Sequence, residues 1–330
     1  MENKKSKVSI GMPVWNGENF IKLALDSLLA QDFKDFEIII SDNASTDNTE
    51  EICEKYIKKD ERIKYIRQGE NIGLDRNFNF VLDKAKGEYF MWAAHDDLWE
   101  PTYISEMVKV LDNNKSVVLA FCIKDDHFIE RGCYYPAGIF LKGTIFKKAL
   151  TFLTKSLHPI YVYGLIRTPV IKKIGWPISF KKLNRGTYAS DALIPFRLIF
   201  KGDFYVVDKV LFHHRYMRKY TDIYMKSQKK LDIMRFFILN VLKLFLNIHE
   251  YFAKIRKIIF ESDLKSHQKY FLVCVTLVLE FKLFIETLYH YFISFLKFVY
   301  NKNYRKECCE SAVRYNPEFR EKRGKKKKYQ

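Results

Sequence analysis

The sequence predicts an α/β protein with a mostly parallel, doubly wound sheet, followed by a helical C-terminal region. Short apolar runs alternate with amphipathic helical patterns over residues 8–94, and this alternation is typical of βαβ units. Proline and glycine are then absent from residues 221–316, where long apolar helical patterns take over. We therefore expect a first domain over residues 1–220 and a helical, basic region over residues 221–330.

Each element of the first domain follows from a local pattern. The strands are continuous apolar runs, as expected for parallel strands that are covered on both faces, and they are predicted at residues 8–12, 36–41, 63–66 and 89–94. Helical periodicity predicts helices at residues 18–31, 48–59 and 74–85. From residue 121 to 220, prolines interrupt short apolar runs, which predicts strands and loops that complete the same domain.

The net charge of +18 is concentrated in the C-terminal third. Residues 221–330 contain 23 Lys and Arg against 11 Asp and Glu, a net charge of +12, whereas residues 1–220 have a net charge of +6. Such a region attracts polyanions, either an anionic lipid surface or nucleic acid. The alternative is that the apolar helices pack on the first domain or on each other, and that the charges form a solvated tail.

Cysteine usage and apolar segments predict a cytoplasmic protein. The six cysteines are scattered and form no C-x-x-C pair, which argues against a disulfide framework or a zinc site. No apolar stretch suited to a signal peptide precedes the first predicted strand. A charge-free apolar run of about 18 residues is also absent, so a simple transmembrane helix is not expected.

Polar residues follow the ends of three predicted strands. These are the segment Pro13–Asn16, Asp42 and the pair Asp96-Asp97. Ligands of open α/β sheets bind beyond the carboxyl ends of the strands, so these residues are expected to converge at one edge of the sheet. This convergence predicts a ligand site although the residues are far apart in the sequence.

The pair Asp96-Asp97 predicts a cation site. Adjacent carboxylates repel each other unless a cation or hydrogen-bond donors offset their charge. Their oxygens favour hard cations such as Mg²⁺ or Mn²⁺, which often share their coordination shell with substrate phosphates. An isolated pair is more often a solvated turn, but the hydrophobic strand before this pair favours the site.

The segment after the second strand has two predicted uses. Ser45 or Thr46 is placed to cap a helix that begins near Asp47. Capping does not explain Asp42, whose carboxylate is placed to accept hydrogen bonds from the N–H groups of a nucleobase. The chain lacks both G-x-G-x-x-G after its first strand and G-x-x-x-x-G-K-[ST], so dinucleotide and P-loop sites lose their main support.

A family resemblance extends over the first domain. It is carried by the segments Val8–Glu18, Glu37–Asp47, Asn71–Gly73, Gly87–Tyr89 and Ala94–Asp97. In order and spacing these segments resemble family 2 inverting glycosyltransferases, which have the GT-A fold, a Rossmann-like α/β sheet. The match is specific over residues 8–105, fades through residues 160–220 and does not reach the C-terminal third.

The resemblance implies a nucleotide-sugar site at the strand ends. It assigns nucleotide binding to Pro13, Val14, Asn16, Glu18, Asp42 and Asn71. It makes Asp97 the ligand of a divalent cation, Mn²⁺ or Mg²⁺, with Asp96 facing the ribose or the metal shell. His95 stands where an acid is common in the family, so no role is assigned to it.

The resemblance also implies a general base. Asp191 matches the catalytic carboxylate late in the domain, although Ser190 replaces the more common glutamate, and the alternative role of Asp191 is helix capping. His214 and Arg215 follow a predicted strand at residues 206–212 and are further candidates for contact with the metal or the diphosphate. Their alternative is a purely structural position at a strand end.

The function implied is transfer of a sugar from a nucleotide-diphosphate sugar, expected to be a UDP-sugar, with inversion. The acceptor would be a saccharide or a lipid-linked hydroxyl in surface polysaccharide or glycolipid synthesis, with peripheral contact to an anionic membrane at its inner face. One alternative is a sugar-nucleotide nucleotidyltransferase, but Pro13–Glu18 lacks the basic residues that would hold a triphosphate. Another alternative is a nonenzymatic basic protein that binds membrane or nucleic acid, but such a function does not explain the acidic residues at the strand ends. No nucleic-acid partner is expected.

Overall fold

The computed structural model describes residues 5–128, 141, 143–154, 159–177, 190–216 and 248–300. The chain divides into two compact units. The first comprises Met1–Tyr216 with Ala253–Thr276, and the second comprises Met217–Phe252 with Leu277–Gln330. The domain boundary expected at residue 220 lies outside the described residues and stays a prediction.

An eight-stranded mixed sheet forms the first unit. Its strands are β1 (Val8–Val14), β2 (Phe36–Asp42), β3 (Ile63–Arg67), β4 (Tyr89–Trp92), β5 (Leu98–Trp99), β6 (Val117–Phe128), β7 (Leu165–Arg167) and β8 (Asp203–Tyr216). Their order is β3-β2-β1-β4-β7-β6-β8-β5. The first four strands are parallel, as are β6 and β8, whereas β7 and β5 run antiparallel to their neighbours. The predicted α/β fold class is confirmed.

Helices cover the sheet. Among the described residues before residue 217, they are α1 (Ile21–Leu29), α2 (Thr49–Ile57), α3 (Leu74–Lys84), α4 (Tyr103–Asn113), α5 (Ile145–Thr154), α6 (Thr168–Ile174) and α7 (Ser190–Leu198). A 3₁₀ helix at Pro159–Tyr163 precedes β7. The first three helices and the first four strands lie where the sequence predicts them, because continuous apolar runs and 3.6-residue periodicity are strong local signals.

The prediction of strands and loops for residues 121–220 was wrong in part. The described portion of this region contains α5, α6 and α7, and the apolar run at residues 160–166 divides into the 3₁₀ helix and the short strand β7. Gly164 lies at the division, where a Cβ atom would be 2.8 Å from the carbonyl oxygen of Ala120. Long-range packing of this kind decides the structure here, and local periodicity does not reveal it.

Strand register brings the candidate residues to one edge. Val14 pairs with Asp42, and Gly11 pairs with Trp92, so β1, β2 and β4 end side by side. Helix α3 can approach β1 closely at Gly11, because a Cβ atom there would lie 2.7 Å from the side chain of Val81. The sheet thereby places the first loop (residues 15–18, after β1), the second loop (residues 43–48, after β2) and the turn after β4 next to each other.

The described residues that follow the sheet in sequence form two helices. Residues 248–261 form α8, and Ser266–Tyr300 form α9. Several large apolar side chains of α9 are exposed, namely Tyr270, Phe271, Leu277, Val278, Phe281, Ile285, Leu288 and Tyr289. Within the described ranges, no helix combines the length and apolar character needed to cross a membrane.

Candidate functional site

The acidic turn, His95–Asp97, connects β4 to β5 at the carboxyl edge of the sheet. Asp97 is 1 % exposed, and its Oδ1 accepts a hydrogen bond of 3.0 Å from the main-chain N–H of Arg215. Its other oxygen, Oδ2, is buried without a hydrogen-bond partner among the described residues. Burial raises the pKa of Asp97 well above its ordinary value and Asp96 raises it further, while Arg215 and Lys124 act in the opposite direction.

The unpartnered Oδ2 of Asp97 fits a hard cation. A buried carboxylate oxygen is costly without a partner, and a Mg²⁺ or Mn²⁺ ion would satisfy it with an oxygen ligand that these ions prefer. The described residues contain no group of three or more His, Cys, Asp and Glu side chains placed to hold a metal. Asp97 therefore offers one oxygen to such an ion.

Arg215 joins the acidic turn to Phe20, the residue before α1. Its Nε donates to the carbonyl oxygen of Asp96, and its Nη2 donates to the carbonyl oxygen of Phe20 at 3.5 Å. The guanidinium also lies over the ring of Phe20, 5.3 Å from its centre. Arg215, one of the two further candidates after β8, therefore has a defined place in the site and is 7 % exposed.

His95 packs against the first loop, residues 15–18. A Cβ atom on Gly17 would lie 2.9 Å from the His95 ring, so glycine is required at this contact. Burial lowers the pKa of His95, and the neighbouring Arg215 adds to this effect, whereas Asp96 and Asp47 oppose it. The residue to which the sequence assigned no role is thus part of the packing between the acidic turn and the first loop.

The first loop is hydrogen-bonded to the second loop, residues 43–48. The N–H of Asn16 donates to Oγ of Ser45 at 2.9 Å, and the N–H of Thr46 donates to Oδ1 of Asn16 at 2.8 Å. Asn16 has a φ of 54°, in the left-handed region that asparagine tolerates better than most residues. The predicted capping by Ser45 or Thr46 was wrong, since both residues bind Asn16 instead.

A second pair of contacts completes this connection. The N–H of Glu18 donates to Oδ2 of Asp47 at 3.0 Å. The Oε2 of Glu18 accepts from the N–H and the side-chain amide of Asn48, at 3.0 and 2.9 Å. Helix α2 begins at Thr49, and it is Asp47 whose Oδ1 accepts from the Thr49 N–H. We call the reciprocal contacts of Asn16 and Glu18 with residues 45–48 the loop latch.

Asp42 is fully buried at the end of β2. Its Oδ1 accepts from the N–H of Ser45 at 2.8 Å, and its Oδ2 accepts from the Tyr65 hydroxyl at 2.7 Å and from Nη1 of Arg67 at 3.2 Å. Both oxygens therefore bind protein donors. These contacts hold the base of the second loop and leave Arg67, which is about one third exposed, at the rim of the site.

The remaining predicted nucleotide residues lie at the same edge. Pro13 and Val14 end β1 and are buried, and the Val14 carbonyl accepts a 2.8 Å hydrogen bond from the N–H of Asn43. Asn71 is exposed, and its Oδ1 accepts from the Asn43 side chain at 2.9 Å and from the N–H of Gly73 at 3.0 Å. The loop before α3 is thereby connected to the second loop.

The predicted base and the second histidine lie on other elements. Asp191 is in the first turn of α7, where its Oδ1 accepts a hydrogen bond of 3.0 Å from the N–H of Ala192. Burial raises the pKa of Asp191. His214 lies in β8 and stacks on Phe212 with ring centres 6.3 Å apart. In the part of the chain that the structure describes, no hydrogen bond joins Asp191 to the acidic turn.

Two cationic residues near the site, Arg67 and Lys124, are not among the predicted site residues. Arg67 ends β3, so the strand-end rule that identified Asp42 would also have identified Arg67. Lys124 interrupts the apolar β6 run and is fully buried, and a lysine in such a strand is the signal that could have found it. An edge that combines two acids with several cations suits a phosphate-bearing ligand and a divalent ion together.

Comparison with known proteins gives a family match. The family model "Glycosyl transferase family 2" matches residues 9–175. An uncharacterized glycosyltransferase of Rickettsia typhi is 40% identical over 114 residues, 34% of this chain and 35% of that protein. The putative glycosyltransferase EpsE of Bacillus subtilis is 34% identical over 164 residues, 47% of this chain and 59% of that protein. The chain thus spans between a third and three fifths of these curated relatives.

Solved structures show the same architecture. The crystal structure of S. aureus TarS 1-349 in complex with UDP-GlcNAc matches with a TM-score of 0.61 and 20% identity, over 84% of this chain and 73% of that chain. The complex of the same protein with UDP matches with a TM-score of 0.60 and 21% identity, over 82% of this chain and 70% of that chain. At this identity the likeness shows the fold.

Proposed function

The chain belongs to glycosyl transferase family 2 and has the GT-A fold, and on this basis we propose that it is an inverting, metal-dependent glycosyltransferase. The donor would be a nucleotide-diphosphate sugar. The observation that carries this proposal is the buried, unpartnered Oδ2 of Asp97 at the edge where β1, β2 and β4 end. A family member with such an oxygen beside a second carboxylate is suited to hold a cation on the diphosphate.

The donor would lie along the latched loops. Pro13, Val14, Asn16, Glu18, Asp42 and Asn71 are the residues proposed for the nucleotide. Within this set, Asp42 and Glu18 would act by holding the loops in position. Two residues outside the set, Trp15, which is 54 % exposed, and Arg67, are available to contact the ligand directly. UDP is the proposed nucleotide, by analogy with the crystal complexes of TarS with UDP and with UDP-GlcNAc.

Asp97 would hold Mn²⁺ or Mg²⁺ through Oδ2, with Asp96 in the nucleotide or metal shell and His214 as a further candidate. When bound, such an ion supplies positive charge to the diphosphate leaving group. Arg215 would keep the acidic turn in position through its contacts with Asp97 and with the carbonyl oxygen of Asp96. Preorganised charges of this kind stabilise a transition state because they need no rearrangement during the reaction.

Asp191 would act as the general base. Its carboxylate would take the proton of the acceptor hydroxyl while that oxygen forms a bond to the anomeric carbon and the bond to the diphosphate breaks on the opposite face. The product would have the inverted anomeric configuration. Burial raises the pKa of Asp191, which makes the carboxylate a better proton acceptor near neutral pH.

The test is a panel of UDP-, GDP-, dTDP- and CDP-sugars, each incubated with protein and Mn²⁺ or with EDTA. We expect slow hydrolysis of one donor that requires the metal, with release of the nucleoside diphosphate. A sugar-nucleotide nucleotidyltransferase would instead form a nucleotide sugar from a sugar phosphate and a nucleoside triphosphate. Absence of metal-dependent hydrolysis or transfer across the panel would contradict the proposal.

The acceptor is proposed to be a saccharide or a lipid-linked hydroxyl in surface polysaccharide or glycolipid synthesis. Cytoplasmic location with peripheral contact to an anionic membrane would suit a lipid-linked acceptor. The exposed apolar residues of α9 and the net charge of +12 in residues 221–330 support this contact. Flotation with anionic liposomes should carry the wild-type chain but not Phe281→Asp/Ile285→Asp; equal flotation of both would contradict a contact through α9.

A further inference from the structure

Trp176 is a buried aromatic residue that has no part in the proposed mechanism. It follows α6 and Gly175, and it is 6 % exposed. The Trp176 N–H donates to Oδ1 of Asn79 in α3 at 2.8 Å, and Nδ2 of Asn79 donates to the Trp176 carbonyl oxygen at 2.9 Å. This reciprocal pair fixes the main chain of Trp176 against the second turn of α3.

The indole of Trp176 also binds the first turns of α3. Its Nε1 donates a hydrogen bond of 3.0 Å to Oδ1 of Asp75, and its ring lies against that of Phe78, with ring centres 4.0 Å apart. Helix α3 begins directly after residues 71–73, the loop that is hydrogen-bonded to Asn43 of the second loop. Trp176 therefore stabilises the end of α3 that adjoins a loop of the proposed nucleotide site.

The same ring contacts the end of β4. It meets Trp92 edge to face, with ring centres 5.2 Å apart, and Trp92 is the last residue of β4. The acidic turn begins three residues later at His95, and a 3.4 Å hydrogen bond from the N–H of Asp97 to the carbonyl oxygen of Ala94 closes it. Aromatic pairs of this geometry stabilise a fold beyond the burial of their area. Trp176 thus packs against the strand end from which the acidic turn extends.

One side chain therefore connects two parts of the proposed site. Trp92 supports this connection, because its Nε1 donates to the carbonyl oxygen of Phe78 at 3.0 Å. Protein interiors are close-packed, so a change in the volume or the hydrogen bonding of Trp176 shifts α3 and β4 relative to each other. The relative position of α3 and β4 sets how far the loop at residues 71–73 stands from Asp97.

We propose that Trp176 is a positioning residue of the donor site, which holds the loop at residues 71–73 and the acidic turn so that one nucleoside diphosphate reaches both the loop and a cation on Asp97. This inference rests on the proposed function. A ligand held at two places gains affinity only where the geometry allows both contacts at once. Mn²⁺ then raises the affinity for the nucleotide, and the nucleotide raises the affinity for Mn²⁺ by the same factor. Trp176 acts through α3 and β4.

The experiment measures how much Mn²⁺ raises the affinity for a nucleotide. UDP, or whichever of GDP, dTDP and CDP binds the wild type best, is titrated by calorimetry into the full chain in EDTA and again in excess Mn²⁺. Trp176→Phe keeps an aromatic ring but removes the hydrogen bond to Asp75. We expect the ratio of the affinity in Mn²⁺ to the affinity in EDTA to fall by about three- to tenfold.

Asn79→Ala is the second variant. It removes both hydrogen bonds to the main chain of Trp176 and keeps the indole. We expect the same fall in the ratio, and this variant replaces Trp176→Phe if that protein does not fold. Titration of Mn²⁺ with and without the nucleotide should give the same ratio for each variant, because the coupling is reciprocal.

The matched control is Tyr89→Phe. Tyr89 is the first residue of β4, at the opposite end of the strand from Trp92, and its hydroxyl donates to Oδ1 of Asp112 at 2.7 Å. Like Trp176→Phe, this substitution keeps a buried ring and removes one hydrogen bond to a carboxylate. The ratio should stay within about twofold of the wild-type value, because distant sites act independently. A general loss of stability affects both titrations and leaves their ratio unchanged.

Two different results would count against Trp176 as a positioning residue. If Trp176→Phe lowers the ratio by less than about threefold, or if Tyr89→Phe lowers it as much, then Trp176 has only a structural role and the donor site stands. If Mn²⁺ does not raise the affinity of the wild-type chain for any nucleotide of the panel, then the proposed function fails and the inference fails with it.

Discussion

The main-chain N–H of Arg215 donates a 3.0 Å hydrogen bond to Oδ1 of Asp97. Through this bond β8 holds the acidic turn, although the two residues are far apart in the sequence. The bond occupies one oxygen of the carboxylate and leaves Oδ2 buried and open. Since a backbone donor is not removed by side-chain substitution, the carboxylate itself is the group to change when the site is tested.

Substitution Asp97→Asn should remove the effect of Mn²⁺ on nucleotide binding. The amide keeps the hydrogen bond from Arg215 but lacks the charge that a divalent ion requires. We also expect the metal-free variant to be more stable than the wild type by on the order of 1 kcal/mol, because a buried unpaired charge is removed. Calorimetric titration of UDP with and without Mn²⁺, and urea unfolding, measure the two effects.

The control for Asp97→Asn is Asp32→Asn, a surface carboxylate that binds Ser105. It should leave the metal effect and the stability close to the wild-type values. If Asp97→Asn retains the full increase in nucleotide affinity with Mn²⁺, then Asp97 is not the metal ligand.

A double-mutant cycle tests whether Glu18 acts through the loop latch. Glu18 Oε2 accepts two hydrogen bonds from Asn48, so Glu18→Ala should weaken nucleotide binding by about tenfold as the first loop loses its anchor. If this is the cause, Asn48→Ala should also weaken binding, and the double variant should be weaker by less than the product of the two effects. Isothermal titration with UDP gives the three affinities.

The cycle can also contradict the latch. If Glu18 contacts the nucleotide directly, Asn48→Ala will leave the affinity almost unchanged while Glu18→Ala still lowers it. Thr154→Ala, which removes an exposed hydroxyl that donates to the Leu150 carbonyl within α5, controls for the loss of a polar side chain elsewhere.

Glu18 illustrates how much of the site can be predicted from the sequence. Its position after the first strand is enough to place it at the ligand edge, because strand ends converge whatever the side chains do. Its partner Asn48 lies 30 residues away and could not be found by any periodic pattern. Sequence patterns report burial and local geometry, whereas a contact between two loops depends on the twist and register that the whole sheet adopts.

Lys124 illustrates that sequence patterns also do not predict which charged groups interact in the folded chain. The apolar run of β6 predicts a buried strand, but the sequence does not say which opposing charge such a lysine meets. Lys124 is one of the groups that lower the pKa of Asp97, and β6 and β5 lie on either side of β8 in the sheet. These strands are not consecutive along the chain, so the regular βαβ alternation that predicts the first four strands does not predict their order.

Asp42 should matter for stability as well as for the donor. Both of its oxygens accept hydrogen bonds from protein groups, including the Tyr65 hydroxyl and Arg67. We expect Asp42→Asn to lower the free energy of unfolding by about 2 kcal/mol, since its amide would face a donor. Tyr65→Phe, which removes one of these bonds and keeps the ring, should cost about 1 kcal/mol. Urea unfolding that is unchanged by Asp42→Asn would contradict this structural role.

Asp191 gives a prediction for the pH dependence of transfer. A general base is active when it is deprotonated, and burial raises the pKa of Asp191 above its ordinary value. The transfer rate should therefore rise with pH through this raised pKa and level off above it. Asp191→Asn should abolish turnover and keep the affinity for the donor, whereas Asp191→Glu should be slower but retain the rising limb.

The raised pKa of Asp191 also predicts how this residue changes the free energy of unfolding with pH. A folded state in which the pKa is raised binds its proton more tightly than the unfolded chain does. This contribution is fully present below the ordinary pKa of an aspartate and is lost as the pH rises through the raised one. Asp191→Asn should thus be more stable than the wild type at neutral pH, and the difference should shrink as the pH falls. A buried general base is expected to lower the stability of the fold at neutral pH. If Asp191→Asn loses turnover and is also less stable than the wild type at neutral pH, then Asp191 has a structural role.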